Sequence, residues 1–177
     1  MSEPTTAYRV LVVTSLYAIV ACNLALYVRH QRRFQVEASR PVYRVSWMTR
    51  AFRYVMTTAQ LGVIADIPLA VFGFGVVPSP ARLAMTLAIG MGAVGLLAWS
   101  LSTLGEHFAP CYDARLPTAI VETGPYRFFR HPIYLSNTIL LLAFLWGLFN
   151  ALLVALTAVT LIFYAASIRD EDRALGR

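Results

Sequence analysis

The apolar positions of this chain fall in long unbroken runs rather than in alternating or one-sided stripes. The runs extend from about Val10 to Val28, Tyr54 to Val77, Leu83 to Leu104, Ile133 to Phe149 and Ala151 to Ser167. About 20 apolar residues suffice for a helix to cross the hydrocarbon core, so the first three runs have spanning length. The last two, at 17 residues each, stand at the short limit. Pro78-Ser79-Pro80 punctuates the second and third runs, and Gly147 to Asn150 turns the last two into a helical hairpin. The pattern predicts an all-α, polytopic integral membrane protein of about five transmembrane helices with a C-terminal helical hairpin. Its two parts are 1–104, with three membrane helices and a basic loop at 29–53, and 105–177, with a long loop, the hairpin and an acidic tail. They form one structural unit.

Composition agrees: 58% of residues are hydrophobic, and the mean hydropathy is +0.62. The net charge of +6 comes from 15 basic residues, all of them arginines. Those charges sit between apolar runs, which fits membrane orientation and excludes nucleic acid as the partner. With the N-terminus outside, 13 of the 15 arginines fall on one side, leaving only Arg9 and Arg82 on the other. The crowded side is therefore assigned to the cytoplasm, together with the 105–132 loop and the C-terminus. Absence of lysine points to a GC-rich bacterial genome, hence to a bacterial inner membrane. Cys22 lies in an apolar run and Cys111 in a polar loop, so no disulfide framework is implied. Ile19-Val20-Ala21-Cys22 is like a lipoprotein signal, but its apolar run continues to Val28 before Arg29, Arg32 and Arg33. A retained first helix is expected.

The chemistry concentrates in Thr123-Gly124-Pro125-Tyr126-Arg127-Phe128-Phe129-Arg130-His131-Pro132-Ile133-Tyr134. The loop that holds it, 105–132, has 28 residues, long for a connection between packed elements and rich in aromatic residues. Gly124-Pro125 is turn chemistry, and Pro132 stands where the fourth helix begins. Arg130 and His131 thus precede a helix N-terminus, which favours an anionic group. An interfacial belt of aromatic and arginine side chains is the competing explanation on composition alone.

In order and spacing the stretch resembles the G-x-Y-x-x-x-R-H-P-x-Y signature of the isoprenylcysteine carboxyl methyltransferase family, a region shared with membrane phospholipid N-methyltransferases. Glu171-Asp172-Arg173-Ala174-Leu175 resembles the family's E-E-x-x-L, in place after the hairpin. The resemblance covers about Leu104 to Leu175 and implies S-adenosyl-L-methionine as cofactor. It further implies cofactor contacts from Thr118, Ala119, Ile120, Val121, Tyr126, Arg130, His131, Pro132, Ile133, Tyr134 and Glu171. The expected reaction is methyl transfer, foremost to a carboxylate, on a lipid-like, isoprenoid or prenylated acceptor at the cytoplasmic membrane face. Membrane lipids are the other partner, and no metal is implied. A carboxylate acceptor needs no general base, and no catalytic residue is assigned; His107 and His131 are the least implausible bases.

Three positions depart from the family pattern. Ser136 replaces a common glycine, and Ser167 stands where an arginine often holds the substrate carboxylate. The chain also ends at Arg177, without the usual aromatic tail. The last two count against prenylcysteine itself more than against methyl transfer. Gly90-Met91-Gly92-Ala93-Val94-Gly95 fits a dinucleotide-loop pattern but lies inside an apolar run, so helix packing is expected there. Asp66, inside the second run, is a functional candidate by position alone, and a hydrogen-bonded structural role is equally open. Two other functions remain: a membrane NADPH-dependent reductase of the sterol-reductase type, and a non-enzymatic lipid-binding scaffold using the basic 29–53 loop.

Overall fold

The computed structural model describes residues 4–34, 47–74, 76–105 and 120–174. Helix α1 is Thr6–Phe34, α2 is Trp47–Pro68 with a π-helical turn Leu69–Gly73 appended, and α3 is Pro80–Leu104. A 3-10 turn, Gly124–Arg127, precedes α4, Pro132–Gly147, and α5, Ala151–Ala174. There is no strand among the described residues. Among the described residues, four helices are long and apolar enough to cross a membrane, within Thr6–His30, Tyr54–Gly73, Pro80–Leu104 and Ala151–Ala174. At 16 residues, α4 is shorter and reaches about 24 Å. The chain is a polytopic integral membrane protein.

Its surface is apolar where a water-soluble bundle would be polar. Leu11, Phe72, Met85, Met91, Leu142 and Ile162 point outward, whereas Asn23, Asp66, Thr86, Ser100, Ser136, Thr157, Thr160 and Ser167 are buried. Lipid tails are as apolar as leucine, so helix association here rests on close packing and internal hydrogen bonds. Gly147 meets α3 so closely that an added Cβ would lie 2.8 Å from Thr86 Oγ1. Gly90 likewise faces Ile19, while Gly92 and Gly95 have nothing near them. The glycine-rich stretch is thus helix-packing chemistry at one of its three glycines. Buried hydroxyls of Thr86, Ser100, Ser136 and Thr160 donate to carbonyls of their own helices, which satisfies them without water.

The expected spans are all present, but three helices run beyond their apolar runs. Helix α1 continues to Phe34 and α2 starts at Trp47, since arginine is a good helix former outside the bilayer. Helix α5 continues through the acidic residues to Ala174. Its 24 residues exceed the span read from hydropathy, so the acids belong to a helix end and not to a free tail. Ser79 caps α3 by accepting from Arg82 N–H, and Pro80 follows in the first turn.

One end of the bundle is tied by long-range polar contacts. Tyr8 donates to the Pro78 carbonyl, Arg9 to Val71 O at 2.8 Å, and Arg82 to Trp146 O at 2.6 Å. Asn150 donates to Asp66 Oδ2 at 2.9 Å at the same end. Pro68 removes one helical N–H and crowds the Ile64 carbonyl. That carbonyl accepts from the Tyr17 hydroxyl at 2.8 Å. The opposite end gathers the C-termini of α1, α3 and α5 with the N-termini of α2 and α4, and it holds the candidate site.

Candidate functional site

The site is built from a turn, a helix start and a helix end. Gly124 has φ of +57°, a left-handed backbone that suits glycine. An added Cβ there would lie 2.7 Å from Thr103 Oγ1 and 3.2 Å from Trp99 Nε1, so the turn is seated on the end of α3. The turn carries Tyr126 inward, and Pro132 then opens α4 with His131 at its N-cap. From the other direction α5 brings Glu171 and Asp172 to the same place.

His131 lies between the two carboxylates. Its Nε2 is 2.9 Å from Asp172 Oδ1, a hydrogen bond. Its Nδ1 is 3.6 Å from Glu171 Oε2, an ion-pair distance that is too long for a hydrogen bond. Burial pulls the imidazole pKa down, but Glu171 and Asp172 together outweigh it and hold the pKa above 6.5. Asp170, the residue before Glu171, is 3.9 Å from Arg173, one turn further along α5. Even with His131 protonated, the Glu171, Asp172 and His131 group keeps a net negative charge, which favours a cation.

Three buried oxygens here make no hydrogen bond to a described residue. They are Glu171 Oε2, Tyr126 Oη and Ser167 Oγ. Burial, with Glu171 and Tyr27 nearby, pushes the Tyr126 hydroxyl pKa far up, so it stays protonated as a donor. Glu171 and Ser167 lie four residues apart on α5, hence on one face. A cation or hydroxyl-bearing ligand at Glu171 would satisfy what the fold leaves open.

An aromatic wall stands beside the cluster. Tyr134 is 5.8 Å from His131 and 5.1 Å from Tyr164, and Phe52 of α2 lies 6.3 Å and 5.7 Å from those two tyrosines. All three rings are buried, so the wall excludes water from one side.

Of the residues expected to contact a cofactor, the structure brings Tyr126, His131, Tyr134 and Glu171 together. Pro132 is buried as the first residue of α4. Ile133 packs against Leu97 and Leu101 of α3, away from the cluster. Arg130 is exposed, Val121 half-buried and Ile120 exposed. Thr118, Ala119 and His107 lie outside the described residues. Sequence reasoning passed over Phe52, Tyr164 and the role of Asp172. Asp172 adjoins Glu171, and Tyr164 lies seven residues before Glu171, on the same helical face, so both carried a signal. Phe52 carried none, being placed only by the packing of α2 on α5.

Comparison with known proteins bears on the same segment. The model of the isoprenylcysteine carboxyl methyltransferase family matches residues 86–177, which includes the turn, the helix start and the acidic helix end. The chain is 34% identical over 86 residues to the nickel-cobalt-cadmium resistance protein NccN of Alcaligenes xylosoxydans xylosoxydans, covering 48% of this chain and 40% of that one. It is 34% identical over 87 residues to the cobalt-zinc-cadmium resistance protein CzcN of Cupriavidus metallidurans, covering 47% and 39%. The chain thus matches about two-fifths of the length of these curated relatives. No solved structure matches. With a matched segment that takes in more than half of its residues, the chain belongs to the isoprenylcysteine carboxyl methyltransferase family.

Proposed function

We propose that this protein is a membrane methyltransferase that uses S-adenosyl-L-methionine and methylates a lipid-like or isoprenoid acceptor, foremost at a carboxylate. The observation that carries the reading is the buried Glu171 Oε2, which makes no hydrogen bond to a described residue and lies beside His131 and Asp172. Family membership supports methyl transfer, and the site has the anionic balance that a cationic cofactor requires. The cofactor, when bound, supplies a methyl group on a sulfonium that leaves readily. Glu171 would hold its ammonium or a ribose hydroxyl, with the Tyr126 hydroxyl and Ser167 Oγ as further partners. Arg130, exposed at the mouth, is available to the cofactor carboxylate. Phe52, Tyr134 and Tyr164 exclude water and restrict where an acceptor can approach. A carboxylate acceptor arrives already nucleophilic, so the chain need not supply a base.

We place the site on the cytoplasmic face of a bacterial inner membrane. Arg9 and Arg82, the two arginines left on the other side by the charge pattern, bind carbonyls at the end of the bundle away from His131.

The test is transfer of radiolabelled methyl from S-adenosylmethionine into organic-extractable lipid by membranes containing the protein. Label should appear with wild type and fall at least about 100-fold with Glu171→Ala, the range for losing a positioning contact. Label that is base-labile would mark a methyl ester. Equal labelling by wild type and Glu171→Ala would contradict the assigned site.

A further inference from the structure

Beneath the aromatic wall, α1, α2, α4 and α5 leave a cleft within the membrane-spanning part of the bundle. Its walls include Met56 and Phe144, but Asn23, Gln60, Asn137, Thr160 and Tyr164 also face it, from four different helices. Asn23 is 7% exposed. Asn137 donates to the Tyr27 hydroxyl, and Thr160 to the Leu156 carbonyl. The side-chain amides of Asn23 and Gln60 make no hydrogen bond to any described residue. Two amides that face one cleft from separate helices at membrane depth, with no hydrogen bond to a described residue, are unfavourable there unless a ligand or water receives them. No carboxylate, arginine or histidine side chain lines the cleft, so its occupant's polar group there is neutral; a carboxylate or phosphate would find no counter-charge.

Position along α5 fixes the spacing. Tyr164 and Thr160 lie seven and eleven residues before Glu171, about 10 and 16 Å along the helix. A ligand reacting beside Glu171 therefore places atoms well down its chain against Asn23 and Gln60.

We propose that the acceptor is a single-chain lipid carrying, besides the group that is methylated, a neutral hydroxyl or oxo function about 10 to 16 Å down its chain, read by Asn23 and Gln60. A plain prenyl or alkyl chain leaves both amides unsatisfied and binds less well. This rests on the methyltransferase reading for where the reacting end lies, but the discrimination itself belongs to the cleft.

The test compares 12-hydroxyoctadecanoate with octadecanoate, which differ by one in-chain hydroxyl, as competitors of a fluorescent fatty acid on the nanodisc-reconstituted protein. Wild type should prefer the hydroxy acid about tenfold, the worth of roughly one net hydrogen bond. Asn23→Leu and Gln60→Leu should each reduce that preference, and the double variant abolish it, with octadecanoate affinity retained as proof of an intact cleft. Equal binding of the two acids by wild type, binding of neither, or a preference that survives both substitutions would overturn the proposal. S-adenosylhomocysteine titrated into the same samples separates the two claims. Its failure to bind counts against the methyltransferase reading alone, and the lipid preference judges the cleft.

Discussion

At His131, burial and charge pull in opposite directions and charge wins, so the folded-state pKa lies above the unfolded value near 6.5. A pKa raised by folding means that the protonated ring stabilises the native state. This contribution is complete below pH 6.5 and is lost as pH rises through the raised value. Thermal unfolding followed over that window should show wild type losing more stability toward alkaline pH than His131→Gln, whose curve should be flatter. Parallel curves would mean that the imidazole does not titrate against Glu171 and Asp172. At Gly124 the expectation is steric. Gly124→Ala puts a side chain at φ of +57° and 2.7 Å from Thr103 Oγ1, which should cost about 1 to 2 kcal/mol and weaken cofactor binding by displacing Tyr126. His131, Glu171 and Tyr126 were legible in the sequence because motif order marks them. The ion-pair triangle was not, because acids at a helix C-terminus look like an unfavourable, solvated end until the histidine that faces them is in place.

Among the elements, α2 shows how a proline is tolerated inside a membrane span. Pro68 frees the Ile64 carbonyl, and Tyr17 from α1 donates to it. Tyr17→Phe removes that donor and leaves a buried carbonyl unpaired, so destabilisation of about 1 to 3 kcal/mol is expected by reversible unfolding in detergent. Asn150 has two tasks at the α4–α5 turn: its Oδ1 accepts from Leu153 N–H at the start of α5, and its Nδ2 donates to Asp66. Asn150→Ala should therefore be at least as damaging, while Asn150→Asp would keep the cap but set two acids together. Spans and turns could be read in advance because prolines and Gly147 punctuate apolar runs. The extension of α5 could not, since the apolar run ends at Ser167 while the helix is held beyond it by the contacts of Asp170, Glu171 and Asp172.

At the scale of the molecule, the two ends of the bundle have different characters. One is closed by arginine, tyrosine and asparagine contacts to carbonyls and to Asp66; the other holds open oxygens and an aromatic wall. Cysteines introduced at Ser79 and at Glu122 should react with a membrane-impermeant maleimide from opposite sides in intact cells, Ser79 from outside only, in a Cys22→Ala and Cys111→Ala background. Labelling of both from one side would invert or dismantle the assigned topology. The arginine pattern carries no sign of the cleft, since Asn23, Gln60 and Asn137 lie far apart in sequence and come to one cleft only through the packing of three helices.

The central claim is that Glu171 and His131 bind S-adenosylmethionine. Calorimetric titration of S-adenosylhomocysteine, and separately NADPH, into the purified protein tests it most directly, with Glu171→Ala and His131→Ala beside wild type. Micromolar binding of S-adenosylhomocysteine but not NADPH, lost in both variants, is the predicted result. Binding of NADPH instead, or no binding of S-adenosylhomocysteine by well-folded wild type, would contradict the account.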